Sequence, residues 1–142
     1  MNRTVVLSPL LLIVIAASAN DKLAANEPPA ETAAVASGKQ SYLEYCAACH
    51  GADGRGMGPA ASALKTPPAD LTTLTKRHEG KFPDDYVATI VRFGSPIPAH
   101  GSSDMPVWGP VFGLRDNGSE LAVRRRIKNL CAYLATLQEK ES

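Results

Sequence analysis

Apolar residues recur at intervals of three and four near the end of the chain: Leu121, Val123, Ile127, Leu130, Leu134 and Leu137. That spacing predicts an amphipathic helix. The turn Asn117-Gly118-Ser119 leads into it, with the serine placed to cap it. Residues 83–94, PDDYVATIVRFG, predict a second helix. Pro83 suits a first turn, Asp84 and Asp85 suit the positive N-terminal end, and Gly94 is a natural stop. A third is expected over residues 37–49, SGKQSYLEYCAAC, where Tyr42, Leu43, Cys46 and Cys49 share helical spacing. Ser37 would cap it, and Gly51 and Gly54 would end it. Residues 51–68 read as a loop with one helical turn near residues 60–64. Residues 95–110 hold four prolines and two glycines, a composition that predicts neither helix nor central strand. No segment alternates convincingly, so the expected fold class is all-α, about three to five helices joined by long loops.

The start of the chain has a different character. Arg3 precedes an apolar stretch over residues 5–17, broken only by Ser8 and Pro9, and Ala17-Ser18-Ala19 fits a small-residue cleavage site. This reads as a signal peptide over residues 1–19. It falls short of the about 20 apolar residues that a comfortable membrane span requires. The expected location is therefore periplasmic or exported, with membrane association only through an uncleaved signal or a partner. Residues 20–36, rich in Ala, Glu and Pro, read as a flexible linker. The folded domain is expected over residues 37–142. The length of 142 residues suits one domain, and 44% hydrophobic with 20% charged residues is ordinary for a globular chain. A net charge of +1 gives no basis for nucleic acid binding. Arg124, Arg125, Arg126 and Lys128 cluster beside the last apolar stripe. Such a run is first a solvated face and only then a surface to steer an acidic partner.

The chemistry concentrates in CAACH, residues 46–50. A redox dithiol would sit at a helix N-terminus, where the dipole favours thiolate, but here the helical pattern precedes the motif. A structural zinc commonly takes two separated ligand pairs, and no second close pair accompanies Cys46 and Cys49. A covalent haem suits the spacing. On a helix the residues i, i+3 and i+4 share a face, so Cys46, Cys49 and His50 can meet two vinyl groups and the iron. Attachment also consumes two of the three cysteines in an oxidising compartment, and CxxCH is the signature of c-type haem.

Iron held by His50 leaves a sixth position. Met57 lies too soon after His50 to reach the far side, and its expected role is to cover the haem edge. His78 stands among charges and reads as a surface histidine. Met105 lies beyond a whole helix in a proline-stiffened loop and is favoured, since Met/His ligation is usual for cytochromes c. His100 competes with it. Tyr45 and Trp108 are candidates to line the pocket, and Trp108 to meet a haem carboxylate. Cys131 reads as a small buried hydrophobe, with an intermolecular disulfide as the alternative.

These motifs together resemble the class I c-type cytochromes, above all their small bacterial single-haem members, over about Gly38 to Leu137. YLEYCAACHGADGRGMGPA is similar to the family's haem-binding helix and the loop after it. DMPVWG resembles its axial-methionine loop, FPDDYVATIVRFG the helix between them, and NLCAYLATL the closing helix. The resemblance implies a cytochrome c-like fold around one covalent haem c. It implies thioethers at Cys46 and Cys49 and axial ligands His50 and Met105. It implies packing of Gly38 and Tyr42 against Tyr133, and a carbonyl at Pro59 fixing the His50 ring. The implied function is one-electron transfer without catalysis, through transient docking of redox protein partners. The alternatives are an electron-transfer subunit of a larger respiratory or dehydrogenase complex, or a haem-based ligand binder or peroxidase if the sixth position is open.

Overall fold

The computed structural model describes residues 28–94 and 105–140. Among them the backbone forms α1 Ala30–Tyr45, α2 Ala47–His50, a 3-10 turn Ala61–Ala63, α3 Leu74–Arg77, α4 Asp84–Phe93, α5 Trp108–Arg115 and α6 Glu120–Thr136. No strand occurs in the described residues. Helices α2 and α3 are single turns, so four substantial helices carry an all-α fold, as expected.

Helix α1 begins at Ala30, not at Ser37. Pro29 occupies the N-cap position, and Ser37 lies inside the helix. Ala30, Ala33, Ala34 and Ala36 are strong helix formers, but they make no apolar stripe, so a search for periodicity reads them as linker. The expected signal segment and residues 20–27 lie outside the described residues.

Helices α1 and α6 form the most extensive pair. Gly38 permits it: a Cβ there would fall 1.9 Å from the Asn129 carbonyl oxygen. One turn on, Tyr42 is fully buried, its ring centroid 5.4 Å from that of Tyr133. Its hydroxyl donates to the Gly51 carbonyl at 2.6 Å, so the buried phenol is satisfied where α2 ends.

Ser119 caps α6, its Oγ accepting from the Ala122 N–H at 3.2 Å. Val123, Ile127, Leu130 and Leu134 are buried as the stripe predicted. Leu121 is not: it is 78% exposed. Two residues before Val123, it points to the other side of a helix with 3.6 residues per turn. Cys131 is buried, with its Sγ 3.8 Å from the Asp84 carbonyl oxygen at the start of α4. Helix α4 ends at Gly94, whose φ of 81° is costly for other residues.

Helix α5 starts inside the segment expected to hold no helix. Pro110 is its third residue, where a missing N–H costs nothing because first-turn N–H groups have no intrahelical acceptor. Phe112 is fully buried beneath α5, and the Arg126 guanidinium lies 5.6 Å from its ring centroid. Arg126 also pairs with Asp116, Nε to Oδ2 at 3.0 Å. Arg124 and Arg92 pair with Glu120. The basic run on α6 is thus partly a set of internal ion pairs.

Candidate functional site

Helix α1 breaks at Cys46, whose N–H still bonds the Tyr42 carbonyl at 2.8 Å. The next turn, α2, carries Ala47, Ala48, Cys49 and His50. Its carbonyls have no onward helix to bond, and the glycine loop supplies donors. The Gly56 N–H meets the His50 carbonyl at 2.7 Å, and the Gly58 N–H meets that of Cys49 at 3.0 Å. CAACH therefore sits at the C-terminal end of the helical run.

His50 is fixed from outside its own helix. Its Nδ1 lies 2.9 Å from the Ala69 carbonyl oxygen. Burial lowers the pKa of the ring, against a smaller opposite pull from that bond. A neutral ring must then donate through Nδ1–H, because a carbonyl only accepts. That leaves Nε2 with its lone pair for a metal. The fixing carbonyl is not that of Pro59. The glycine loop folds back so that the Ala60 N–H bonds the Ala48 carbonyl at 2.8 Å, which carries the exposed Pro59 to the outer side of α2. Pro68 and Ala69 cross over Gly56 instead, where a Cβ would lie 2.4 Å from the Pro68 carbonyl oxygen. The Pro67-Pro68 pair was the available signal for that rigid crossing.

Cys46, Cys49, His50 and Met105 all line one cavity of about 700 Å³. Its walls are mainly apolar, with Leu71, Leu74, Val87, Ile90, Val91 and Leu130 among them. Tyr45 and Trp108 line it as expected, their centroids 5.4 Å apart edge to face. The volume lies within the ~300–1,000 Å³ typical of small-molecule and cofactor sites. Burial, with Cys49 beside it, pushes the Cys46 thiol up to about 12. A redox dithiol needs the opposite shift. Among the described residues no cluster of three or more His, Cys, Asp or Glu is placed to hold a metal ion. The dithiol and zinc readings both lose ground. Two thiols, an imidazole nitrogen and a thioether on an apolar cavity fit a covalently held haem.

Two residues stand elsewhere than expected. His78 is half-buried on the cavity wall, its ring centroid 5.3 Å from that of Tyr86. The turn closed by the Gly80 N–H on the Thr75 carbonyl, 3.0 Å, turns it inward while Lys76 and Glu79 stay exposed. Met57 is 83% exposed and does not line the cavity. His100 lies outside the described residues. Sequence reasoning also missed Arg77, among the described residues the one Arg or Lys on the cavity wall. Its Nη2 donates to the Asp70 carbonyl at 2.6 Å, and among the described residues no carboxylate pairs with it.

An all-α fold closed over an apolar cavity, with CxxCH on its wall, defines the class: a c-type cytochrome domain. The chain belongs to the family described as cytochrome c oxidase, cbb3-type, subunit III, whose family model matches residues 33–118. That range holds the CAACH motif, the cavity loops, α4 and Met105, and ends before α6. Membership implies haem-based electron transfer and covalently bound haem c. No curated protein and no solved structure shows a match to the chain. Among the described residues no helix is long and apolar enough to cross a membrane.

Proposed function

We propose that this chain is a periplasmic one-electron carrier built on a single haem c. The observation that supports it is the convergence of Cys46, Cys49, His50 and Met105 on one apolar cavity. Cys46 and Cys49 would hold the haem through thioethers, and His50 Nε2 and the Met105 sulfur would be the axial ligands. Bound there, haem supplies a ferric/ferrous couple.

The protein's part is orientation and tuning. Ala69 fixes the tautomer and angle of His50 and raises its basicity. The thioether of Met105 and the dry leucine, valine and isoleucine wall favour the less charged, reduced state. Arg77 offers counter-charge to the haem carboxylates at a wall otherwise short of it. Trp108 packs edge to face on Tyr45 on the cavity wall.

The test is an absorption spectrum of the reduced, periplasmically matured protein with and without carbon monoxide. A c-type spectrum unmoved by the gas supports a filled sixth position and electron transfer. An immediate shift favours a haem-based ligand binder or peroxidase. Met105→Ala should convert the first behaviour into the second; if His100→Ala does so instead, the sixth ligand is His100.

The family description favours one other reading, an electron-transfer subunit fixed in a larger respiratory complex. Co-purification of the native chain with an oxidase through mild detergent extraction separates that subunit from a free carrier.

A further inference from the structure

Beyond the end of α6, and beyond the range of the family match, Gln138 makes three hydrogen bonds with one side chain. Its Oε1 accepts from the Thr75 N–H at 2.8 Å. Its Nε2 donates to the Leu71 carbonyl and to the Leu134 carbonyl, both at 2.8 Å. The amide orientation is unambiguous, since an N–H needs the oxygen and two carbonyls need the NH₂ group. Both amide hydrogens are therefore used, and the last turn of α6 is joined to the loop after Ala69.

That loop holds the only hydrogen-bond partner His50 has on its ring among the described residues. Leu71 is two residues past Ala69. Its N–H is held by the Gly54 carbonyl at 2.7 Å and its carbonyl by Gln138, so both ends of that residue are fixed. The Glu139 N–H adds a bond to the Thr72 carbonyl at 2.9 Å, and the Glu139 carboxylate reaches Arg55 at 3.1 Å. A loop carbonyl can orient an imidazole only as well as its own backbone is held. After the last helix Leu137 packs against the core that Leu130 and Leu134 already fill, whereas the Gln138 side chain is spent on hydrogen bonds to the loop.

We infer that Gln138 is a positioning residue for His50: it clips the loop whose Ala69 carbonyl sets the tautomer and basicity of the proximal histidine. The inference rests on His50 binding haem iron. A loosened loop weakens the Nδ1–H···O bond, and a less basic imidazole stabilises ferric iron less, so the midpoint potential rises. Arg77 and Asp70 also brace this loop, Arg77 from the cavity wall through the Asp70 carbonyl and Asp70 by accepting from the Thr72 N–H at 2.8 Å. From the α6 side the loop is held by Gln138 and by the Glu139 N–H, and Gln138 supplies the side-chain bonds to Leu71 and Thr75.

The experiment uses the haem-loaded, full-length protein with Gln138→Ala and Gln138→Met. Methionine keeps the side-chain volume and removes the hydrogen bonds. Two quantities are read: the solvent-exchange rate of the His50 Nδ1–H by NMR of the reduced protein, and the midpoint potential. Both variants are expected to speed exchange and to raise the potential. If Gln138→Met matches the unmutated protein in both readouts, Gln138 acts by packing alone and the inference is overturned. Unchanged exchange and potential in both variants overturn it as well. Should neither variant fold, Gln138→Glu decides the matter. It keeps the acceptor for Thr75 but turns an acceptor toward the Leu71 and Leu134 carbonyls, so the His50 Nδ1–H exchange must quicken. The potential is not read for this variant because its added charge shifts it, and an unchanged exchange rate overturns the inference. An unmutated protein with no c-type spectrum sinks the haem reading itself, before any variant is compared.

Discussion

Gly38 and Asn129 touch backbone to backbone: a Cβ on Gly38 would stand 1.9 Å from the Asn129 carbonyl oxygen and 2.9 Å from the Cβ of Tyr133. Neither neighbour is a flexible side-chain end, so no rotamer change relieves the clash. Gly38→Ala must push α1 and α6 apart, and with them the Tyr42–Tyr133 pair that sits one turn before Cys46. The expected loss is about 3 kcal/mol, the upper end for overpacking. Thermal unfolding followed by circular dichroism measures it. An unchanged midpoint would mean that the helices do not cross at this residue.

Gly56 does comparable work for His50. Its φ is 80°, and a Cβ there would lie 2.4 Å from the Pro68 carbonyl oxygen. Gly56→Ala combines a left-handed backbone, about 1–2 kcal/mol for a residue with a Cβ, with displacement of Pro68 and Ala69. The predicted result is lower stability together with a lower yield of haem-loaded protein. Haem content per chain, read as the Soret absorbance against total protein, checks it. Gly118→Ala is the control: its φ is 74°, but nothing lies within 4 Å of its Cβ. It should lose stability and keep its haem.

How much of this was legible in the sequence depends on whether a residue's role is local. The helices over Asp84–Phe93 and Glu120–Thr136 announce themselves, because a period of three and four is written in the residues that make the face. Ala30–Ala36 is helical without any such face, so only propensity marks it. Trp108–Arg115 was hidden by Pro110, whose place in a first turn cannot be told from a place in a loop until the start of the helix is known. CAACH was readable because its spacing is the chemistry, and Met105 was singled out by its proline-stiffened loop, which brings it to the wall of the same cavity. Ala69 was not, because the group that fixes His50 is a backbone carbonyl and every residue has one. His78 looked like a surface histidine from its charged neighbours. The turn that faces it inward depends on Glu79 and Gly80, both at positive φ, and on contact with Tyr86 of α4.

Asp116 and Arg126 give the fold a pH dependence of definite sign. Hydrogen bonds from the Arg126 guanidinium, helped by its charge, hold the Asp116 carboxyl below the usual carboxylate range, and the Arg126 pKa is raised in return. A carboxyl depressed in the folded state contributes stability that is fully present above its unfolded pKa of about 3.9 and is lost as pH falls through the folded value. Asp116→Asn should therefore cost roughly 1.5–3 kcal/mol near neutrality, as for a hydrogen bond to a charged group. The difference from the unmutated protein should shrink toward zero at pH values below the carboxylate range. Urea unfolding at neutral pH and at about pH 2.5 tests it. A difference that stays constant with pH would mean that the variant acts through packing.

Cys131 bears on how the chain assembles, because it is the cysteine outside the CAACH motif. Its side chain is 3% exposed, packed between α6 and the start of α4. Burial, followed by the nearby Asp84 and Asp85 carboxylates, pushes its thiol up to about 12. The thiolate is the reactive form, so both access and protonation protect this sulfur. The haem-loaded native protein should resist alkylation by iodoacetamide at about pH 8, only slightly below the ordinary thiol pKa. It should run as a monomer on a non-reducing gel and take up one alkyl group only after unfolding. Cys131→Ala should cost about 1 kcal/mol, the centre of the range for single substitutions, and leave the haem spectrum unchanged. A disulfide-linked dimer of the native protein would require α4 and α6 to part, and would make Cys131 an assembly residue rather than a small apolar filler of the core.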